Sequence, residues 1–129
     1  MATVQRVRLL VADDNATYRR ALLELLRDHP RLEVVGEAAD GEDVIRRAKE
    51  LQPTLILMDI NMPRLDGITA TRRIKEHHKN ITVIGLSVHA DRDFVDAMIN
   101  AGAVDLVPKE KAADDLFTVI ERAILKDPS

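Results

Sequence analysis

Five short apolar runs alternate along this chain with five stretches whose apolar residues recur at helical spacing, and that alternation admits very few architectures. The runs are Val7–Ala12, Leu32–Ala38, Thr54–Met58, Ile81–Leu86 and Val104–Val107. Between them lie the stripes Tyr18, Ala21, Leu22, Leu25, Leu26; then Val44, Ile45, Ala48, Leu51; then Ile68, Thr71, Ile74; then Phe94, Val95, Met98, Ala101. Leu116, Val119, Ile120, Ala123 and Ile124 form a final stripe ending near Lys126. Asp14 or Asn15, Asp40 and Asp66 can cap helix starts, while Pro30, Pro53 and Gly102 close helices. Strands joined by helical crossovers run parallel, and each crossover lays its helix on one face of the sheet. The expectation is an α/β domain with a five-stranded parallel sheet covered on both faces. The more polar Leu32–Ala38 run suits a sheet edge, and Pro108 removes a backbone donor where only an edge or a terminus tolerates it.

Composition narrows the chemistry. A length of 129 residues fits one domain, expected over residues 1–126, with 127–129 as a tail or the start of a linker. The absence of cysteine removes disulfides, thiolate metal sites and cysteine nucleophiles, so a metal would be held by oxygen or imidazole. The N-terminus has no apolar signal core and no run approaches bilayer length, which makes a cytoplasmic protein with no membrane partner the expectation. A net charge of -3 and 2% aromatic residues give no reason to expect direct nucleic-acid binding. Arg19-Arg20, Arg46-Arg47 and Arg72-Arg73 lie on separate helices and read as solvated faces, as do the adjacent His77 and His78.

The runs end in polar residues. Asp13 and Asp14 follow the first, Asp59 the third, Ser87 the fourth and Lys109 the fifth. In a parallel sheet the carboxyl ends of the strands share one edge, where open α/β sheets bind ligands. Each of these residues has an ordinary explanation taken alone, as a cap, a loop hydroxyl or a surface lysine. Together they converge on one place. Three carboxylates there repel by about 4 kcal/mol per pair at 4 Å with an effective dielectric near 20, so the cluster calls for a cation. Hard oxygen ligands favour magnesium, and a lysine and a hydroxyl facing it complete what a phosphoryl group requires.

With these residues in register, the chain resembles a receiver domain of the two-component response-regulator family over Val7 to Leu125. The resemblance rests on Asp13-Asp14, on Met58-Asp59-Ile60-Asn61-Met62-Pro63 with Asp66-Gly67, and on Ser87, Ala101-Gly102-Ala103 and Lys109. It implies a flavodoxin-like, doubly wound sheet in the order 2-1-3-4-5 with five flanking helices. It also implies that Asp59 accepts a phosphoryl group from a phosphohistidine of a sensor kinase or phosphotransfer protein. Asp14, Asp59 and the Asn61 carbonyl would ligate Mg2+, Asp13 would act mainly through bound water, and Ser87 and Lys109 would hold the phosphoryl oxygens. Asn61 and His89 would tune water access to the acyl phosphate. The exposed side of the fourth and last helices is the candidate surface for an effector domain or a second copy.

Two residues depart from the family pattern. Leu106 stands where many members carry a switch aromatic, so the usual ring rotation has no ring, and Pro108 precedes Lys109 where many members have proline after the lysine. Output by a different or weaker surface rearrangement is the expectation. A magnesium phosphatase with an aspartyl nucleophile needs an acid two residues later, where this chain has Asn61. A nucleotide carrier on the same sheet needs a phosphate-cradling loop where Asp13-Asp14 would repel phosphate. The alternative left open is an intact receiver acting mainly as a docking module of a larger regulator or hybrid kinase.

Overall fold

The computed structural model describes residues 6–88 and 91–125. His89 and the tail expected at 127–129 lie outside them. The strands are β1 (Val7–Ala12), β2 (Leu32–Ala38), β3 (Leu55–Asp59), β4 (Thr82–Ser87) and β5 (Asp105–Pro108). The helices are α1 (Ala16–Arg27), α2 (Gly41–Leu51), α3 (Gly67–His77), α4 (Arg92–Ala101) and α5 (Ala112–Leu125). A single 3-10 turn, Lys109–Lys111, joins β5 to α5.

All strand pairs are parallel and the order is β2-β1-β3-β4-β5, which puts the polar second strand and the proline-bearing fifth at the two edges, as expected. β3 is buried throughout because it lies mid-sheet beneath helices on both faces, which is why it reads as an uninterrupted apolar run. Strand alternation divides its side chains. Ile56 and Met58 join an apolar layer with Leu10, Val44, Ala48, Ile74, Met98 and Leu106. Leu55 and Leu57 join a second layer with Leu9, Val11, Leu22, Leu26, Leu116 and Ile120. One layer is therefore covered by α2, α3 and α4, the other by α1 and α5.

Helix starts follow the capping chemistry in the sequence. Asn15, Asp40, Asp66 and Asp91 each accept a hydrogen bond from the backbone N–H three residues on, opening α1, α2, α3 and α4. Of the two caps considered for α1, Asn15 serves. Gly102 ends α4 at φ 119°, a left-handed conformation that a side chain would strain.

Three local expectations are corrected. The fifth strand runs from Asp105 to Pro108, one residue later than its apolar run, and Val104 is exposed. Pro108 faces Ser87 in the last pair of an edge strand, where its missing donor costs the ladder little. Ala21 belongs to the helical stripe of α1 yet is exposed, and the buried anchors of that helix are Leu22 and Leu26. The thin stripe of α3 is completed by small residues: Gly67 and Ala70 are buried beside Thr71 and Ile74, while Ile68 is only partly buried.

Candidate phosphoryl and metal site

Asp13 follows β1 directly and is fully buried, its backbone N–H donating to the Ala38 carbonyl at 3.0 Å. Its Oδ1 accepts the Asn15 N–H at 2.8 Å, a tight turn that shapes the β1–α1 loop. Asp14 is exposed beside it. Asp59 is the last residue of β3, only 2% exposed, and its Oδ1 accepts the Asn61 N–H at 3.3 Å. The loop after it is held close to the strand. A side chain at Gly67 would bring its Cβ within 2.0 Å of the Asp59 carbonyl oxygen, so glycine is required there, and the Gly67 N–H donates to the Ile60 carbonyl at 2.8 Å.

The carboxylates of Asp13, Asp14 and Asp59 each place an oxygen within 4.8 Å of the others. Lys109 reaches in from the turn after β5, with Nζ 2.7 Å from Asp13 Oδ2 and 3.5 Å from Asp59 Oδ1. Ser87 ends β4 and is fully buried at the same sheet edge. The residues singled out on four strand ends thus meet at one edge. Asn61 contributes its backbone N–H toward Asp59, and its side chain is exposed. Leu106 lies away from the edge in the layer under α4, where Met98 also packs.

One ammonium facing three carboxylates leaves the cluster short of positive charge. At 4.8 Å and an effective dielectric near 20, each carboxylate pair repels by about 3 kcal/mol. Burial is the main reason that the Asp59 carboxyl is raised from 3.8 to about 7. The charge on Asp13 and a hydrogen bond with Asp14 raise it further, while Lys109 and the Asn61 N–H oppose the shift. Asp13 Oδ2 is buried and accepts no hydrogen bond of regular geometry, despite the close ammonium. An all-oxygen donor set with excess negative charge and an under-coordinated buried oxygen fits a hard divalent cation such as magnesium.

Two residues beside the site escape sequence reasoning. Arg19 is no solvated arginine: Nη1 donates to the Asp13 carbonyl at 2.5 Å and Nε pairs with Glu37 at 2.7 Å. Tyr18 donates its hydroxyl to the Lys109 carbonyl at 3.1 Å and sets its ring 4.6 Å from Lys109 Nζ. Burial, then the charges of Asp13 and Asp59, push its phenol up to about 12. Arg20, Arg46, Arg72 and Arg73 are exposed, as read from the sequence.

Residues 9–121 match the family model of the response regulator receiver domain. The response regulator domain of Thermotoga maritima CheB superposes with a TM-score of 0.88 at 32% identity, over 96% of this chain and 100% of that one. A protein-glutamate methylesterase/protein-glutamine glutaminase of Alkalilimnicola ehrlichii is 43% identical over 109 residues, 83% of this chain and 28% of that protein. The transcriptional regulatory protein DegU of Brevibacillus brevis is 32% identical over 116 residues, 90% of this chain and 49% of that protein. The chain therefore spans between a quarter and a half of the length of these two relatives. It belongs to the response regulator receiver domain family. No helix among the described residues is long and apolar enough to cross a membrane.

Proposed function

We propose that this chain is a phosphoacceptor: Asp59 takes a phosphoryl group from a phosphohistidine on a sensor kinase or phosphotransfer protein. The observation that carries this reading is the convergence of Asp13, Asp14, Asp59 and Lys109 on one edge, with Asp59 the buried carboxylate at the end of the central strand. In the transfer an Asp59 carboxylate oxygen forms a bond to phosphorus as the N–P bond of the donor breaks, and the leaving imidazole nitrogen takes up a proton. No general base is needed, because the attacking group carries no proton when ionised. Lys109 and Ser87 hold the phosphoryl oxygens, the lysine supplying charge and the serine a hydrogen bond.

Asp14, Asp59 and the Asn61 carbonyl would hold Mg2+, with Asp13 acting mainly through bound water. Bound there, the ion supplies the positive charge that lets anionic phosphate approach three acids. The chain's own part is geometric: the Asn15 turn and the Arg19 clamp fix Asp13, and the Gly67 contact fixes the loop after Asp59. Asn61 and His89 tune water access and so the life of the acyl phosphate. The domain modifies itself and reverts, which makes it a signalling element and not a turnover enzyme. The reading carries with it a cytoplasmic site of action.

Output through Leu106 departs from an aromatic switch. The side chain is buried in the layer with Met98, and a Cβ at Gly85 would lie 2.7 Å from its Cδ1. Packed there, it offers no ring to rotate, and we assign signalling to a smaller rearrangement of the α4 and α5 surface toward an effector domain or a second copy.

The test is the intact mass after incubation with magnesium and acetyl phosphate, beside Asp59→Asn. A magnesium-dependent phosphate adduct in the parent and none in the variant supports the reading. No adduct, even with a cognate kinase and with beryllium fluoride failing to bind, replaces it with a phosphorylation-independent docking module.

A further inference from the structure

Lysine is a compact charge on a flexible four-carbon stem, and a lysine that must meet a phosphoryl group needs its stem restrained. Lys109 is rooted in a one-turn 3-10 segment at the end of an edge strand, a weakly supported place. Its ammonium is held by Asp13 and Asp59. Those are the contacts it must relax when it turns to phosphate, so they cannot be what keeps it aimed during transfer. Two further contacts come from Tyr18. The ring face lies 4.6 Å from Nζ, and the hydroxyl donates to the Lys109 carbonyl, which also accepts the Ala112 N–H. Tyr18 is half-buried on α1, packed against the apolar layer beneath α1 and α5, so its ring is itself anchored.

We infer that Tyr18 is a positioning residue for Lys109: its ring keeps the ammonium over the reacting edge while its hydroxyl fixes the backbone from which the lysine extends. The quadrupole of an aromatic ring attracts a cation without competing for the phosphoryl oxygens, so the contact survives the exchange of partners. The hydroxyl bridges residues 91 apart in sequence, tying the β1–α1 end of the site to the turn after β5. The role rests on the phosphoacceptor reading above.

Phosphorylation rates with acetyl phosphate and magnesium are measured by intact mass for the parent, Tyr18→Phe, Tyr18→Leu, Lys109→Ala and the Tyr18→Leu/Lys109→Ala pair. Tyr18→Phe, which keeps the ring and loses the hydroxyl tie, slows the rate by about 2- to 5-fold, whereas Tyr18→Leu, which loses both, slows it by about 3- to 30-fold. The half-saturating magnesium concentration stays unchanged in Tyr18→Leu, because the carboxylates are untouched. In the Lys109→Ala background Tyr18→Leu causes no further loss. A spectroscopic readout needs no Tyr18 variant: the chain has one tyrosine and no tryptophan, so tyrosine emission arises from Tyr18 alone and differs between the parent and Lys109→Ala. Beryllium fluoride with magnesium leaves that difference in place, because ring and ammonium stay in contact when the lysine changes partners.

A parental rate in Tyr18→Leu, a further loss in the Lys109→Ala background, or an emission difference that vanishes when beryllium fluoride binds overturns the role of Tyr18. An adduct in the parent alongside any of these leaves the phosphoacceptor reading intact. The absence of an adduct in the parent removes both.

Discussion

Replacing Asp59 by asparagine stabilises the metal-free protein at about pH 8, although it removes the residue the site is built around. The Asp59 carboxyl is raised from 3.8 to about 7 by burial and by its acidic neighbours. Below the unfolded value the residue is protonated in both states and contributes no difference. As pH rises from the unfolded value toward the folded one, the unfolded chain releases its proton while the folded state keeps it, and stability falls until the folded group also ionises near 7. The shift of about 3 pH units corresponds to an upper limit on the order of 4 kcal/mol, fully expressed above pH 7. Asparagine keeps the shape and removes the charge. For a domain of this size each kcal/mol moves the midpoint by about 3–5 °C, so a gain of up to about 12–20 °C is expected. Thermal unfolding followed by circular dichroism in chelator checks it, with parent and Asp59→Asn compared near pH 5 and near pH 8. The advantage of the variant shrinks at the lower pH and shrinks again when magnesium is added at the higher. An advantage of the same size at both pH values, or none at pH 8, refutes the argument that carboxylate crowding destabilises the empty site.

Other outcomes follow from packing and capping. Gly67→Ala places a Cβ 2.0 Å from the Asp59 carbonyl oxygen, and urea denaturation is expected to show a loss of about 3 kcal/mol together with slower phosphorylation. Asp66→Ala removes a cap that accepts from both the Thr69 N–H and its hydroxyl, and lowers stability by about 1 kcal/mol in the same assay. Leu106→Tyr pushes a ring toward Gly85 and Met98, costing about 1–3 kcal/mol. If that variant instead gains a large phosphorylation-dependent change in shape, the aromatic switch still works in this scaffold and the reading of Leu106 falls.

The architecture was legible because each element carries its own period and its own punctuation. Continuous apolar runs such as Ile56-Leu57-Met58 mark strands buried on both faces, and Asp40, Asp66 and Asn15 stand at the helix starts they cap. The edge placement of β2 was visible in Glu33 and Glu37, since a central strand has no solvent for them. The convergence of the acids and Lys109 was legible for a topological reason: parallel strands share the edge at which they end. Contacts set by side-chain reach across that edge were not. Arg19 looks like half of a solvated pair until its guanidinium is seen on the Asp13 carbonyl, and Tyr18 looks like part of a core stripe. Ala21 fits the stripe by spacing alone, but the neighbouring leucines fill the interface and leave it in solvent.

The division of the interior into two apolar layers bears on how a change at one edge could be felt elsewhere. Along β4, Ser87 continues the row of Val83 and Gly85, on the side of α4, while along β1 Asp13 continues the row of Leu9 and Val11, on the side of α1 and α5. The sheet stands between the two compartments as a wall. The polar rim at the strand ends is the place where the compartments meet. A small anion gripped there from both sides would work as a clasp, joining the two compartments at that rim. Paired substitutions on opposite sides of the wall would then add in the resting molecule and cease to add once the clasp is fastened.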